Sequence, residues 1–327
     1  MVTKIAAAAA TRRVKMGATM LVVMTGSSGL IGTALRRVLE SAGHEVRGMR
    51  RGTAQEGGQY DVATGWVASD ALTGADAVVH LAGASIGSHR WTPKRRAEIR
   101  SSRVDATRLL VDAMARLDRK PAVFMVASAI GYYGNAGEGV VDESAAPGSG
   151  FLAELVQDWE AEARRAEALG VRVVSPRFGI VLSKEGGALP QMVLPFRLGA
   201  GGSLGSGRQW MSWVALEDAT GALAMLLQDE SASGPVNLVA PAPATNRVFA
   251  KTLGKVMRRP ALAPAPAFAL RLVLGKGRAD ELLLASQRVE PRRLRELGYT
   301  FRHPELEGAL RATLHPGAAV SPAPTPI

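Results

Sequence analysis

The spacing of three glycines, Gly26, Gly29 and Gly32, in the segment GSSGLIG constrains this chain more than any other feature. The run before it, residues 20–25 (MLVVMT), is short, β-rich and free of charge, as a strand covered on both faces of a parallel sheet must be. The run after it places Leu30, Ala34, Leu35, Val38 and Leu39 on one helical face, and Gly43 follows as a stop. A strand, a glycine turn and a helix in that order build an anion site. Gly26 permits the tight turn, Gly29 lets a diphosphate approach the main chain, and Gly32 lets the helix pack closely on the sheet. The helix N-terminus then offers free N–H groups and the positive end of its dipole. Without a strand before it and a helix behind it, the pattern would describe only a turn.

The next strand indicates which dinucleotide such a site would take. Residues 44–50 (HEVRGMR) read as that strand, and it ends in Met49, Arg50 and Arg51. An acid there would accept hydrogen bonds from a ribose 2′-hydroxyl, whereas guanidinium groups pair with a 2′-phosphate. NADP(H) is therefore the expected cofactor and NAD(H) the alternative; the plain reading of the same residues is two solvated surface arginines.

Strand and helix go on alternating. Residues 76–81 (DAVVHL), 122–127 (AVFMVA) and 171–174 read as further strands. One helix is expected from about Pro93 to Leu117, and another over residues 151–169 with a charged outer face. This order predicts an α/β fold, a doubly wound parallel sheet of the Rossmann type with helices on both faces. After Ser183 the glycines at 186, 187, 199, 201, 202, 205 and 207 suggest a mobile loop. Residues 217–228 read as a helix, 235–243 as a linker or edge segment, and a helix from Thr245 carries Phe249, Leu253 and Val256 on one stripe. The expected organisation is an extension over 1–19, a nucleotide-binding domain over 20–182, and a glycine-rich substrate loop with return elements over 183–244. A smaller, mainly helical substrate lobe over 245–314 and a disordered Pro-rich tail over 315–327 complete it.

Composition removes several function classes. The chain of 327 residues contains no cysteine, which excludes disulfides, thiolate nucleophiles and zinc–thiolate sites. Its five histidines show no paired ligand spacing, so no metal is expected. No apolar run approaches the ~20 residues that span a bilayer, and no export signal is evident, so no membrane partner is expected and the cytoplasm is the expected location. Forty Lys and Arg against 29 Asp and Glu leave a net charge of +11. Residues 247–302 hold 13 basic and 4 acidic side chains, yet no aromatics alternate with them as in single-strand binders. Nucleic-acid binding is the weaker reading of that charge.

Four motifs together make the chain resemble the extended short-chain dehydrogenase/reductase superfamily: TGSSGLIG at 25–32, HLAG at 80–83, ASAIGYYG at 127–134 and PRFGIVL at 176–182. Narrower markers are Arg90-Trp91-Thr92, Ser102-Arg103-Val104, GGAL at 186–189, GRQWMSW at 207–213 and LLASQRVEPRRLRELG at 283–298. With them the chain is similar to the NAD-dependent epimerase/dehydratase group, in the branch called epimerase family proteins that carries its own C-terminal domain. The resemblance implies a cofactor held by Gly26, Ser28, Gly29, Leu30, Ile31 and Gly32, with Leu81, Ala82 and Gly83 along its ribose and diphosphate. It also implies that Asp61 reaches the adenine and that a substrate lies under residues 183–211 and the C-terminal lobe.

One departure bears on chemistry. The superfamily uses a tyrosine hydroxyl as acid/base with a lysine four residues later, a spacing that puts both on one helix face. Here Tyr60, Tyr132, Tyr133 and Tyr299 are followed at that distance by Thr64, Ala136, Gly137 and His303. Phe151 and Leu155 stand where the pair belongs, and Ala129 stands at the usual Ser/Thr position beside Ser128. Tyr132, Tyr133 and Ser128 are the nearest alternative proton donors, although Tyr133 could equally close a turn. Arg177 reads either as an anchor for an anionic substrate group or as a partner for a core acid. Trp91, Trp210 and Trp213 read as pocket walls or as packing, Asp218 as a helix cap, and Asp142 and Glu143 as solvated. A reductase or epimerase-like oxidoreductase acting on a small anionic or sugar-like molecule is one expectation, and a non-catalytic NADP(H) sensor or regulatory protein is the other.

Overall fold

The computed structural model describes residues 19–316; the expected N-terminal extension and C-terminal tail lie almost wholly outside them. Six parallel strands form the central sheet: β1 (Leu21–Thr25), β2 (Glu45–Met49), β3 (Ala77–His80), β4 (Val123–Val126), β5 (Arg172–Phe178) and β6 (Gly234–Leu238). Their order is β6-β5-β4-β3-β1-β2, and a short strand at Ser128–Ala129 continues along β5 as a seventh. The chain starts in the middle, winds to one edge, then crosses to the other side of β1. That reversal leaves a crevice at the C-terminal ends of β1 and β3, where ligands bind in sheets of this kind.

The sheet is doubly wound because its strands are apolar on both faces. Val23, Val78, Phe124 and Val173 pack under α3 (Val104–Ala115) and α4 (Phe151–Arg164) with Leu110, Met114, Leu155 and Trp159. Val22, Met24, Val79, Met125 and Val174 face the other way, onto Leu35 and Leu39 of α1 (Leu30–Ser41) and Leu223 and Leu226 of α6 (Leu216–Gln228). Each such side chain contributes about 1.5–3 kcal/mol over its exposed state. A third cluster joins α5 (Leu189–Arg197), α7 (Asn246–Met257) and α11 (Leu306–Leu314) around Trp213.

The single helix expected over 93–117 is two, α2 (Pro93–Ser101) and α3. Ser102 donates its hydroxyl to the Ile99 carbonyl at 2.9 Å and accepts the Ala84 amide at 3.0 Å, while Arg103 folds back onto the Ala84 and Ile99 carbonyls. These side-chain bonds compete with the helical ladder and break it. The helix expected over 151–169 ends at Arg164 and tightens into a 3₁₀ turn, Arg165–Leu169, before Gly170 (φ 77°). The stretch expected as a mobile loop contains α5, whose Leu189, Val193 and Phe196 are buried. The linker or edge segment at 235–243 supplies the edge strand β6.

Three short elements complete the C-terminal part, α8 (Ala267–Leu274), α9 (Lys276–Ala279) and α10 (Arg292–Glu296). Between α9 and α10 run a π-helical turn at Asp280–Leu284 and a strand, Arg288–Val289, paired with Val140–Val141. Asp218, expected as a helix cap, serves the C-terminal segment instead: its carboxylate accepts the Arg302 and His303 amides at 2.7 and 2.9 Å. No described helix is long and apolar enough to cross a membrane.

Candidate functional site

The glycine turn sits at the C-terminal end of β1. The Gly29 amide donates to the Gly26 carbonyl at 3.0 Å, closing the turn, and Gly29 is the N-cap of α1 without a side chain to occupy the first-turn amides. Among the described residues the Leu30 and Ile31 amides have no backbone acceptor, and α1 has no acid in its first turn. Two glycines here are sterically required. A Cβ on Gly26, whose φ is +71°, would come within 2.8 Å of the Ala82 nitrogen, and one on Gly32 would collide with the Gly26 carbonyl. Ser28 and Gly29 are exposed at the tip of the turn.

The neighbouring loop is bound to this turn. The Thr25 hydroxyl meets His80 Nδ1 at 2.6 Å and accepts the Ala82 amide at 3.4 Å, so Leu81, Ala82 and Gly83 leave β3 alongside Gly26. His80 is fully buried with Nε2 unpartnered among the described residues, and burial, helped by the nearby Arg103 charge, depresses its pKa to about 3. Gly83 is exposed and lies against Arg103: a Cβ there would stand 3.0 Å from the guanidinium carbon. At the end of β2, Arg50 and Arg51 are both exposed, and Arg50 donates to the Glu56 carbonyl at 2.5 Å. The Asp61 carboxylate accepts the Ala63 amide and the Thr64 hydroxyl at 3.0 and 2.9 Å.

A buried polar network lies beyond β4. Arg177 donates through Nε and Nη2 to both oxygens of Glu160 at 2.8 Å, a bidentate pair whose partners are 3% and 6% exposed. Glu160 also accepts the Ser128 hydroxyl at 2.6 Å. Arg177 Nη1 donates to the Tyr133 oxygen at 3.0 Å, and the Tyr133 hydroxyl donates to Asn237 Oδ1 at 2.7 Å. Burial opposes charge on Arg177, but the bonds and field of Glu160 outweigh it and hold the guanidinium protonated above its ordinary range. Burial also pushes the Tyr133 phenol up to about 12.

The candidate side chains therefore separate. Ser128 and Tyr133 commit their hydroxyls to this network. Arg177, for which two roles were open, is paired with the core acid Glu160. Tyr132 is half-buried with its ring 3.5 Å from the Arg177 guanidinium carbon, and its hydroxyl has no partner among the described residues. Trp213 is 0% exposed and donates its indole N–H to the Ala242 carbonyl at 3.0 Å, so it packs the core and lines no pocket. Trp210 is half-buried, donates to Glu138 at 3.1 Å and carries Arg288 on its ring. Glu143, expected to be solvated, accepts the Asn237 and Arg293 amides at 2.8 and 3.2 Å, and burial raises its pKa. Asp142 pairs with Arg292 at 3.2 Å.

Two acids escaped the sequence reading. Glu160 follows Leu152, Leu155, Val156 and Trp159 on the buried stripe of α4, so helical spacing alone could have found a core acid. Glu281 left no such signal. From the π-helical turn it caps α4 across the lobes, accepting the Phe151 and Leu152 amides at 3.3 and 2.8 Å. Gln287 likewise stitches the lobe to the tyrosine loop through the Ile130 and Gly134 carbonyls at 3.1 and 2.9 Å. Between these elements lies a cavity of about 150 Å³, lined by Gly131, Gly134, Asn135, Leu152, Glu281 and Gln287.

A reversing parallel sheet with a glycine cradle at its crevice and a second lobe over one end defines a dinucleotide-fold protein of the short-chain dehydrogenase/reductase type. Comparison with known proteins narrows this. Residues 22–239 match the NAD dependent epimerase/dehydratase family and residues 265–313 match a domain of unknown function, DUF1731. The chain belongs to the NAD-dependent epimerase/dehydratase family. It is 44% identical over 307 residues to the epimerase family protein Mb2239 of Mycobacterium bovis, covering 91% of this chain and 99% of that one. It is 36% identical to the epimerase family protein YfhF of Bacillus subtilis, covering 89% and 97%. Among solved structures, human epimerase family protein SDR39U1 (isoform 2) with NADPH superposes with a TM-score of 0.81 at 35% identity, covering 90% of this chain and 99% of that one.

Proposed function

We propose that this chain is an NADP(H)-binding, epimerase-family oxidoreductase whose substrate is a small anionic or sugar-like molecule, with NAD(H) as the weaker ligand. The glycine cradle carries the reading: a turn whose close contacts exclude any side chain at Gly26 or Gly32, opening on the uncapped amides of Leu30 and Ile31. That geometry suits a diphosphate. Leu81, Ala82 and Gly83 would flank the ribose and diphosphate, and Asp61 the adenine. Arg50 and Arg51 would hold the 2′-phosphate with charge-assisted bonds. The human relative with NADPH supports this preference. The bound nicotinamide would supply or accept a hydride.

The proton donor would differ from the superfamily's tyrosine–lysine pair. The ring of Phe151 and the buried side chain of Leu155 carry neither proton nor charge. Of the three candidate hydroxyls, Tyr132 alone is outside the buried network, with the Arg177 guanidinium against its ring. Calorimetric titration of NADPH and NADH tests the cofactor; NADPH should bind at least about tenfold more tightly, a difference of ~1.4 kcal/mol. Tyr132→Phe should abolish proton-coupled turnover on any carbonyl or alcohol substrate found by panel screening while leaving NADPH affinity unchanged. The second reading, a non-catalytic NADP(H) sensor, is favoured by Phe151 and Leu155; NADPH binding without turnover across that panel would select it.

A further inference from the structure

Three guanidinium groups that the fold draws inward have acceptors. Arg177 lies on Glu160, Arg172 donates to the Leu226, Leu227 and Ala232 carbonyls, and Arg103 donates to those of Ala84 and Ile99. Arg96 on α2 differs from these three: the Nε of its neighbour Arg95 is also shielded without an acceptor, but Arg95 donates through its terminal nitrogens to Glu98 and Ser85, whereas Arg96 donates nowhere among the described residues. It is half-buried, yet among the described residues its side chain donates no hydrogen bond and forms no ion pair, and its Nε is shielded from solvent with no acceptor. A shielded donor left without an acceptor costs about 1–3 kcal/mol, which an acceptor arriving from outside would recover.

The surroundings identify that partner. The Arg96 guanidinium carbon stands 5.1 Å from the centre of the Phe151 ring, and Trp91 meets the same ring edge-on at 5.3 Å. On the C-terminal lobe, a Cβ at Gly277 would fall 2.8 Å from Arg96 Nη2, so the bare backbone of α9 makes room for the group. A guanidinium stacked on an aromatic face keeps its donors at its rim, in one plane, where a planar oxyanion can take two at once. The nearby carboxylates are occupied: Glu98 pairs with Arg95 at 2.6 Å and Glu281 caps the α4 amides.

We propose that Arg96 is the oxyanion-binding residue of the substrate site, gripping a carboxylate or phosphate group of a small molecule held at the start of α4 between the two lobes. The assignment rests on the dinucleotide reading only for its location and deepens it by requiring a substrate with a negative charge. The dinucleotide's own phosphates have separate candidates in the α1 amides and the Arg50–Arg51 pair, on other elements.

The test uses the full chain saturated with NADP⁺ and titrated calorimetrically with malonate, and separately with inorganic phosphate, at constant ionic strength. Saturable binding of at least one anion is expected, favouring malonate if the natural group is a carboxylate and phosphate if it is a phosphate. Arg96→Gln should weaken it at least about tenfold, Arg96→Lys should fall between, and Arg36→Gln, at an exposed position of α1, should leave it unchanged. Circular dichroism and an unchanged urea-unfolding midpoint show that Arg96→Gln is folded, and its NADP⁺ affinity should be unchanged. Absence of saturable anion binding, or equal affinity in Arg96→Gln, overturns the proposal. A tenfold loss of NADP⁺ affinity in a folded Arg96→Gln overturns it too, assigning the group to the dinucleotide. If the wild-type chain binds no dinucleotide, the cofactor reading fails alone, and the same anion titration without NADP⁺ still decides the role of Arg96.

Discussion

Acidification should destabilise this protein through one histidine. His80 lies fully buried at the end of β3, with Trp159 edge-on 6.5 Å away, and burial takes its pKa from 6.5 to about 3. In the unfolded chain the same imidazole takes up a proton near its ordinary value. Between those two values the unfolded state binds one more proton than the folded state, so stability falls as pH falls. The contribution is fully present above the unfolded pKa and is lost progressively on acidification down to the folded pKa. Each pH unit well inside that window is worth about 1.4 kcal/mol, and the step from about pH 6.5 to about pH 5 is worth about 1.6 kcal/mol. Urea unfolding followed by tryptophan fluorescence, at half-unit steps from about pH 5 to about pH 7.5, gives the slope. The same series on His80→Asn removes this proton and leaves every other titration in place. Wild-type stability should fall more steeply by nearly one proton. Equal slopes in the two proteins would refute the reasoning, because they would mean that His80 titrates alike in both states.

Three further outcomes follow from the packing. Glu160→Gln leaves the Arg177 guanidinium buried without its counter-charge and should lower the unfolding free energy by about 3–5 kcal/mol; a loss below about 1 kcal/mol in urea titration would mean that the pair is not closed in solution. Gly32→Ala forces a methyl against the Gly26 carbonyl, so NADPH affinity measured by calorimetry should fall at least about tenfold with a stability loss of about 1–3 kcal/mol; unchanged affinity would place the dinucleotide elsewhere. Trp213→Ala should cost about 3–5 kcal/mol by the same unfolding assay, whereas Trp210→Ala, at a half-buried position, should cost less than half as much; the reverse order would show that the two indoles have exchanged core and surface.

The parts of this molecule that were legible in its sequence are those whose physics is local. The glycine turn, the strands apolar on both faces and the stripe on α1 each state their geometry within a dozen residues, because steric room and helical period act between near neighbours. The expected helix over 93–117 failed because the Ala84 amide donates to the Ser102 hydroxyl and the Arg103 guanidinium donates to the Ala84 carbonyl, contacts that only the folded loop at Ala84 brings within range. Trp213 and Trp210 sit three residues apart in one motif, and composition gives no hint that one is sealed and the other wet. Glu143 and Asp142 are adjacent, yet only Glu143 meets the Asn237 and Arg293 amides from distant segments. The polar half of the site is non-local in this sense: Arg177, Glu160, Tyr133 and Asn237 come from four elements.

These contacts converge at the start of α4. Phe151 places an apolar ring at this helix end, and the charges come from outside it. Glu281 reaches over from the C-terminal lobe to lie on the Phe151 and Leu152 amides, where the helix dipole favours an anion. Arg96 lies on the ring itself, backed by Gly277 of the same lobe. A carboxylate and a guanidinium are thus held beside one residue without being paired to each other, and both placements depend on the lobe that Gln287 and Glu281 fasten to the sheet domain. Loosening that lobe would withdraw the anion from the helix end and remove the backing of the cation together. The proposed recognition of an anion at Arg96 and the docking of the lobe therefore share the same contacts.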